Sequence, residues 1–94
     1  MRTYQEFLEY VKDNIIGFMP YDYSEATADI LKVTKDNNMI LDALVIHKDE
    51  ESPSPMVYLE QYYSRMTDVT DEKSILEEIA SDYLRGMKYY AHLI

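Results

Sequence analysis

Cysteine and tryptophan are absent from the 94 residues, and only two glycines and three prolines occur. Without thiols there is no disulfide framework, no thiolate zinc site and no cysteine nucleophile. So few breakers, with 47% hydrophobic residues, give the composition of a globular chain and not of a disordered acidic tail. No apolar run approaches 18 residues, and Glu6 and Glu9 stand where a signal peptide needs a basic stretch and then an apolar one. Neither export nor a membrane span is expected.

Cations are also scarce, with nine Lys plus Arg against 18 Asp plus Glu and a net charge of −9. Each phosphate contact asks for a cation, so direct nucleic-acid binding is not expected, and an anionic membrane surface is disfavoured for the same reason. Basic protein partners are favoured through steering of the encounter. The length fits one acidic globular domain, residues 1–94, which can bury roughly two-thirds of its unfolded surface.

The opening Thr3-Tyr4-Gln5-Glu6 has the form of a capping box. Behind it Tyr4, Phe7, Leu8, Val11 and Ile15 form one helical stripe, which Gly17 and Pro20 end. After a loop over Tyr21–Glu25, residues Ala26–Lys35 alternate until Leu31 and Val33 shift the phase, which predicts a strand with a bulge. Asp36-Asn37-Asn38 tolerates positive φ and closes a hairpin onto Met39–Lys48. In that second strand Ile40, Asp42, Leu44 and Ile46 share one face and Met39, Leu41, Ala43 and Val45 the other, so it reads as central. The stretch 48–55 is a charged, proline-punctuated loop, Met56–Leu59 a short edge strand, and Glu60–Met66 a short helix. Thr70 caps a long last helix with Ile75, Leu76, Ile79, Ala80, Tyr83, Leu84, Met87 and Tyr90 on its apolar face, and Gly86 weakens it.

The fold class is therefore α+β: a three-stranded antiparallel meander flanked by an N-terminal helix and a long C-terminal helix. The expected core is Phe7, Leu8, Val11, Ile15, Ile30, Val33, Leu41, Leu44, Ile46, Val57, Leu59, Ile75, Ile79, Tyr83 and Met87.

No nucleophile elbow, glycine-rich phosphate loop or calcium loop occurs. His47 and His92 are far apart and in no ligand spacing. Adjacent surface acids such as Glu77 and Glu78 do not supply the desolvated pair that acid–base work needs. No catalytic residue, cofactor or metal is expected. What stands out is the acidic face of the last helix, where Asp71, Glu72, Glu77, Glu78 and Asp82 could imitate a row of phosphates for a basic groove. Compensation of the helix dipole alone selects the same placement. Tyrosine is the other excess. Tyr10 and Tyr89 project from polar faces, and one of Tyr62 and Tyr63 must point away from what the other packs on, which suits interface anchors.

The opening Tyr4–Ile15, the hairpin Lys32–Asn38, the strand Leu41–Ile46 and the segment Pro55–Tyr63 together resemble the N-terminal part of an uncharacterised bacterial protein family, domain of unknown function 5688. The resemblance implies a shared fold and a bacterial or phage setting, with no catalytic residues to carry over. Members of that family are longer, so the chain is expected to correspond to their first module. The leading expectation is a non-catalytic protein-binding module in the bacterial cytoplasm. Its most concrete form is a phage-type anti-CRISPR or anti-restriction inhibitor of a nucleic-acid-handling protein such as a nuclease. The alternatives are a cellular adaptor or regulatory module and a small carboxylate-dependent hydrolase. The edge strand and exposed tyrosines also raise the expectation of a twofold homodimer.

Overall fold

Thr3 opens the first helix as the spacing predicts: its hydroxyl accepts the Glu6 N–H, and the Glu6 carboxylate accepts the Thr3 N–H at 2.8 Å. In the computed structural model, which describes residues 2–48, 55–68 and 72–93 (side chains of 67–68 and 88–93 excepted), helix α1 spans Tyr4–Asn14. The helix ends before Gly17, tightening into a 3-10 segment over Ile15–Phe18 that keeps Ile15 buried. A second 3-10 turn, Tyr21–Tyr23, replaces the expected open loop and turns Tyr23 inward.

Strand β1 (Thr27–Thr34) pairs antiparallel with β2 (Ile40–His47), residue for residue from Thr27 opposite His47 to Thr34 opposite Ile40. This corrects the expected bulge. Leu31 departs from the alternation because it lies on the outer sheet face, 45% exposed, and not because the strand slips. Asn38 takes the left-handed conformation at φ 61°, and Lys35 N–H bonds the Met39 carbonyl at 2.8 Å to close the hairpin. β2 is central, in the order β1-β2-β3, and β3 (Val57–Tyr58) is shorter than the predicted edge strand. Helix α2 (Glu60–Ser64) continues as a 3-10 turn over Arg65–Asp68, and α3 runs Glu72–Leu93. The predicted cap Thr70, Asp71 and most of the linker after Lys48 lie outside the described residues.

Helices cover one face of the sheet. Leu44 and Ile46 meet Phe7, Leu8, Val11 and Ile15 of α1, Leu59, Tyr62 and Met66 of the α2 segment, and Ile75, Leu76, Ile79, Ala80 and Tyr83 of α3. Ile30 and Met87 pack at the margin of this core, half-buried. Val33 and Leu41, expected in the core, instead face away from the helices: their odd register places them on the opposite side of the sheet with Leu31, Ala43 and Val45.

β2 outruns β3, and two side chains and one backbone N–H complete its outer edge. The Asp42 N–H donates to Glu60 Oε1 at 3.1 Å, the Asp42 carbonyl accepts the Leu59 N–H at 3.0 Å, and the Ile46 carbonyl accepts the Tyr83 hydroxyl at 3.2 Å. Buried backbone polar groups are thereby satisfied where no strand is present.

Gly86 has a packing reason in spite of its helical cost. A Cβ there would lie 2.9 Å from Cβ of Pro55, on the segment that leads into β3. Gly86→Ala improves helix propensity by about 1 kcal/mol, yet overpacking against a rigid ring costs about 1–3 kcal/mol. The expected outcome is a lowered thermal midpoint, read by circular dichroism.

Candidate functional site

Most of the acids that mark the polar face of α3 are already engaged. Glu72 pairs with Arg2, Glu78 with Arg65 at 2.5 Å, and Asp82 with Arg85. Asp82 also accepts the Tyr62 hydroxyl. These contacts tie α3 to the N-terminus and to the α2 segment, so the predicted row acts largely as an internal clamp. Glu77 alone of the predicted acids described is exposed and outside any ion pair; it borders a groove of about 330 Å³ between the first 3-10 segment and α3, with Phe18, Ala80, Leu84 and Arg85. Asp71 lies outside the described residues.

The tyrosines are likewise occupied. Tyr62, 2% exposed, is a core residue, which corrects its placement among projecting anchors. Burial, reinforced by the neighbouring Glu78 charge, pushes its phenol pKa up. Tyr63 is half-buried, its ring 5.2 Å from Tyr4 and 5.4 Å from Phe7, and its hydroxyl donates to the Arg2 carbonyl at 2.8 Å. So neither member of the pair stands free: Tyr63 meets Tyr4 and Phe7 of α1, while Tyr62 reaches Asp82 of α3. Tyr10 is half-buried beneath the Arg2 guanidinium, 4.2 Å from its ring centre. The side chains of Tyr89 and His92 lie outside the described residues, and His47 is exposed at the end of β2.

Clamping has a stability consequence. Asp82→Lys removes the acceptor of a buried phenol and sets an ammonium beside Arg85, so it should cost about 1–3 kcal/mol in denaturant unfolding. Glu77→Lys should stay within about 0.5 kcal/mol of wild type, as an exposed substitution. A charge-reversal test of the helix face is therefore clean at Glu77 and confounded at Asp82 and Glu78.

The polar cluster that sequence spacing did not single out is centred on Asp42, the lone acid on the core face of β2, 6% exposed. Tyr4 Oη lies 2.7 Å from Asp42 Oδ2 and 3.2 Å from Glu60 Oε1, and Lys32 Nζ donates to Asp42 Oδ1 at 3.0 Å. The Tyr4 hydrogen bond, with Lys32 beside it, holds the Asp42 carboxyl below its ordinary range against the opposing effect of burial. Burial raises the Tyr4 phenol, and the two carboxylates raise it further. A carboxylate held ionised by its neighbours is a poor proton donor, and Glu60 is committed to the Asp42 N–H, so the cluster is built to join α1, β2 and α2. The available signal was an acid interrupting an apolar face, with a tyrosine and a lysine free to reach it.

A cleft of about 260 Å³ opens between α1 and β1, lined by Gln5, Leu8, Glu9 and Lys12 on one side and Asp29, Ile30 and Lys32 on the other, with Asp42 also on its wall. Among the described residues no group of His, Asp and Glu side chains is arranged to hold a metal ion, and no helix is long and apolar enough to cross a membrane.

The sequence profile described as Family of unknown function (DUF5688) matches residues 4–91. Neither a curated protein nor a solved structure matches the chain.

Proposed function

We propose that this chain, which belongs to the DUF5688 family of unknown function, is a non-catalytic protein-binding module for a partner with a basic surface. In its most concrete form it is a phage-type inhibitor, of the anti-CRISPR or anti-restriction kind, acting in the bacterial cytoplasm on a nucleic-acid-handling protein. One observation carries the reading. All three arginines are engaged by acids of α3, while Glu9, Asp13, Glu25 and Glu77 stand exposed with no ion pair among the described residues. These four acids present negative charge outward in a chain of net charge −9, and that charge steers a basic partner. A stoichiometric inhibitor needs a surface and no reaction centre, and a standard interface of roughly 800 Å² per partner is within reach of a domain this size.

The test is titration of the purified chain into cleavage assays of bacterial CRISPR and restriction nucleases, with complex formation followed by size-exclusion chromatography. Inhibition saturating near one chain per nuclease, and weakened by added salt, is the expected result. A chain that forms no complex and inhibits none of them overturns the inhibitor form. Turnover of a nuclease substrate by the chain itself would make it an enzyme.

A further inference from the structure

The hydrogen-bond phase of the hairpin determines which backbone groups of β1 look outward. Lys35 and Met39 form a hydrogen-bonded pair, so alternation along the antiparallel ladder puts Thr27, Asp29, Leu31 and Val33 in bonded pairs with β2. The N–H and C=O groups of Ala28, Ile30, Lys32 and Thr34 therefore point away from the sheet. The only described partner on that side is local: the Asp29 carboxylate turns round the edge and accepts the Ile30 N–H at 2.9 Å. An eight-residue, unbulged edge is a template for another strand, and an acid folded over it is a known means of keeping it from indiscriminate pairing. The expected edge at β3 is only two residues long, so β1 is the more extensive free edge.

The cleft between α1 and β1 lies along this edge. Its wall includes Asp29 from one sheet face and Ile30 and Lys32 from the other, so it wraps the strand margin. Leu8 and Ile30 provide apolar surface, and Glu9, Asp29 and Asp42 outnumber Lys12 and Lys32, of which Lys32 is already paired with Asp42.

We propose that the outer edge of β1 receives an extended basic segment of a protein partner as a fourth, added strand. The proposal rests on the reading of the chain as a protein-binding module and names the surface and the partner chemistry. A partner carbonyl takes the Ile30 N–H from Asp29, and the released carboxylate meets a cation of the incoming strand. Alternate side chains of that strand enter the cleft, with lysine or arginine stems over Leu8 and Ile30 and their charged ends towards Glu9 and Asp29. A second copy of this chain fits less well. A twofold pairing of two β1 strands opposes residues of like parity, so Asp29 and Lys32 never face each other, and it brings two chains of charge −9 together.

The experiment uses the full ¹⁵N-labelled chain and an acetylated, amidated octapeptide of alternating lysine and valine. Two controls accompany it: the same peptide with alternate amides N-methylated, and a glutamate–valine counterpart. The expected result is movement of the amide signals of Ala28, Ile30, Lys32 and Thr34 together with Gln5 and Glu9, and at least about tenfold weaker binding after N-methylation. The glutamate peptide should not bind. Lys32→Pro blocks the edge without touching the backbone bonds of the β1–β2 ladder, because the Lys32 N–H points outward. It should weaken the lysine peptide similarly when compared with Lys32→Ala, which loses the same ion pair to Asp42 but keeps the N–H. Cooperative unfolding of that variant checks its fold, and the N-methylated arm needs no change to the protein. The proposal is overturned if the lysine peptide does not bind, if N-methylation leaves its affinity unchanged, or if the β1 signals move with protein concentration alone, which would assign the edge to a second copy. A nuclease complex that survives Lys32→Pro also overturns the edge assignment while leaving the protein-binding reading intact; absence of any complex removes the latter instead.

Discussion

Ile79→Ala should lower the free energy of unfolding by about 2–5 kcal/mol, the range for truncating a buried isoleucine where the surroundings collapse only in part. Ile79 has no exposed surface and sits in the stretch of α3 that meets the sheet-facing core of α1 and β2. Its neighbours Leu76, Ala80 and Tyr83 are on the same helix face and equally buried, so they cannot swing out of contact to fill the space. Urea denaturation gives the number directly. A change below about 1 kcal/mol would mean that α3 does not pack along this stripe.

Asp42→Ala comes next in size, at about 2–3 kcal/mol, because it removes the buried acceptor of a charge-assisted hydrogen bond from Tyr4, together with an ion pair to the largely exposed Lys32. Its signature is in the pH dependence. The Asp42 carboxyl is held below its ordinary value in the folded chain, so its contribution is present above the unfolded carboxylate pKa and is lost as pH falls through the folded one. Asp42→Asn should thus destabilise the protein at neutral pH and flatten this part of the acid limb of the stability profile. Tyr4 and Tyr62 act at the other extreme. Their phenols are raised above 10.0, so the stability they contribute is present below that value and is lost as pH rises through their folded values. Urea midpoints measured across the pH range for wild type and Asp42→Asn separate the two limbs.

Periodicity was sufficient for the architecture. The capping box, the Asn38 turn, the central position of β2 and the stripe of α3 are each local or nearly local signals, and each reappears in the structure. Where the reading failed, distance along the chain was the reason. The expected bulge is a side chain on the sheet face turned away from the helices, and which face the helices take is a tertiary fact that alternation does not carry. Tyr62 was indistinguishable from an exposed tyrosine until Asp82 was seen to receive its hydroxyl. The acids of α3 were legible as a charged face, but their pairing with Arg2 and Arg65 was not, since nothing local marks which arginine will reach which glutamate. Gly86 showed a helical cost without its cause, which lies in Pro55.

Arg2 joins three parts of the chain at once: its guanidinium covers Tyr10 and pairs with Glu72, and its carbonyl receives Tyr63. A residue beside the N-terminus therefore closes a loop that takes in most of the sequence. Closing such a loop carries an entropic cost, which the contacts of Arg2 with Glu72, Tyr10 and Tyr63 help to offset. The first and last helices share this latch as well as the core on β2, so they are expected to open as one cooperative unit. In native-state hydrogen exchange, the amides of α1 around Phe7 and Val11 and those of α3 around Leu76 and Ile79 should open with one common free energy. Arg2→Ala, which keeps the Thr3 cap of α1, should lower the two protections together, as the loss of a single latch would.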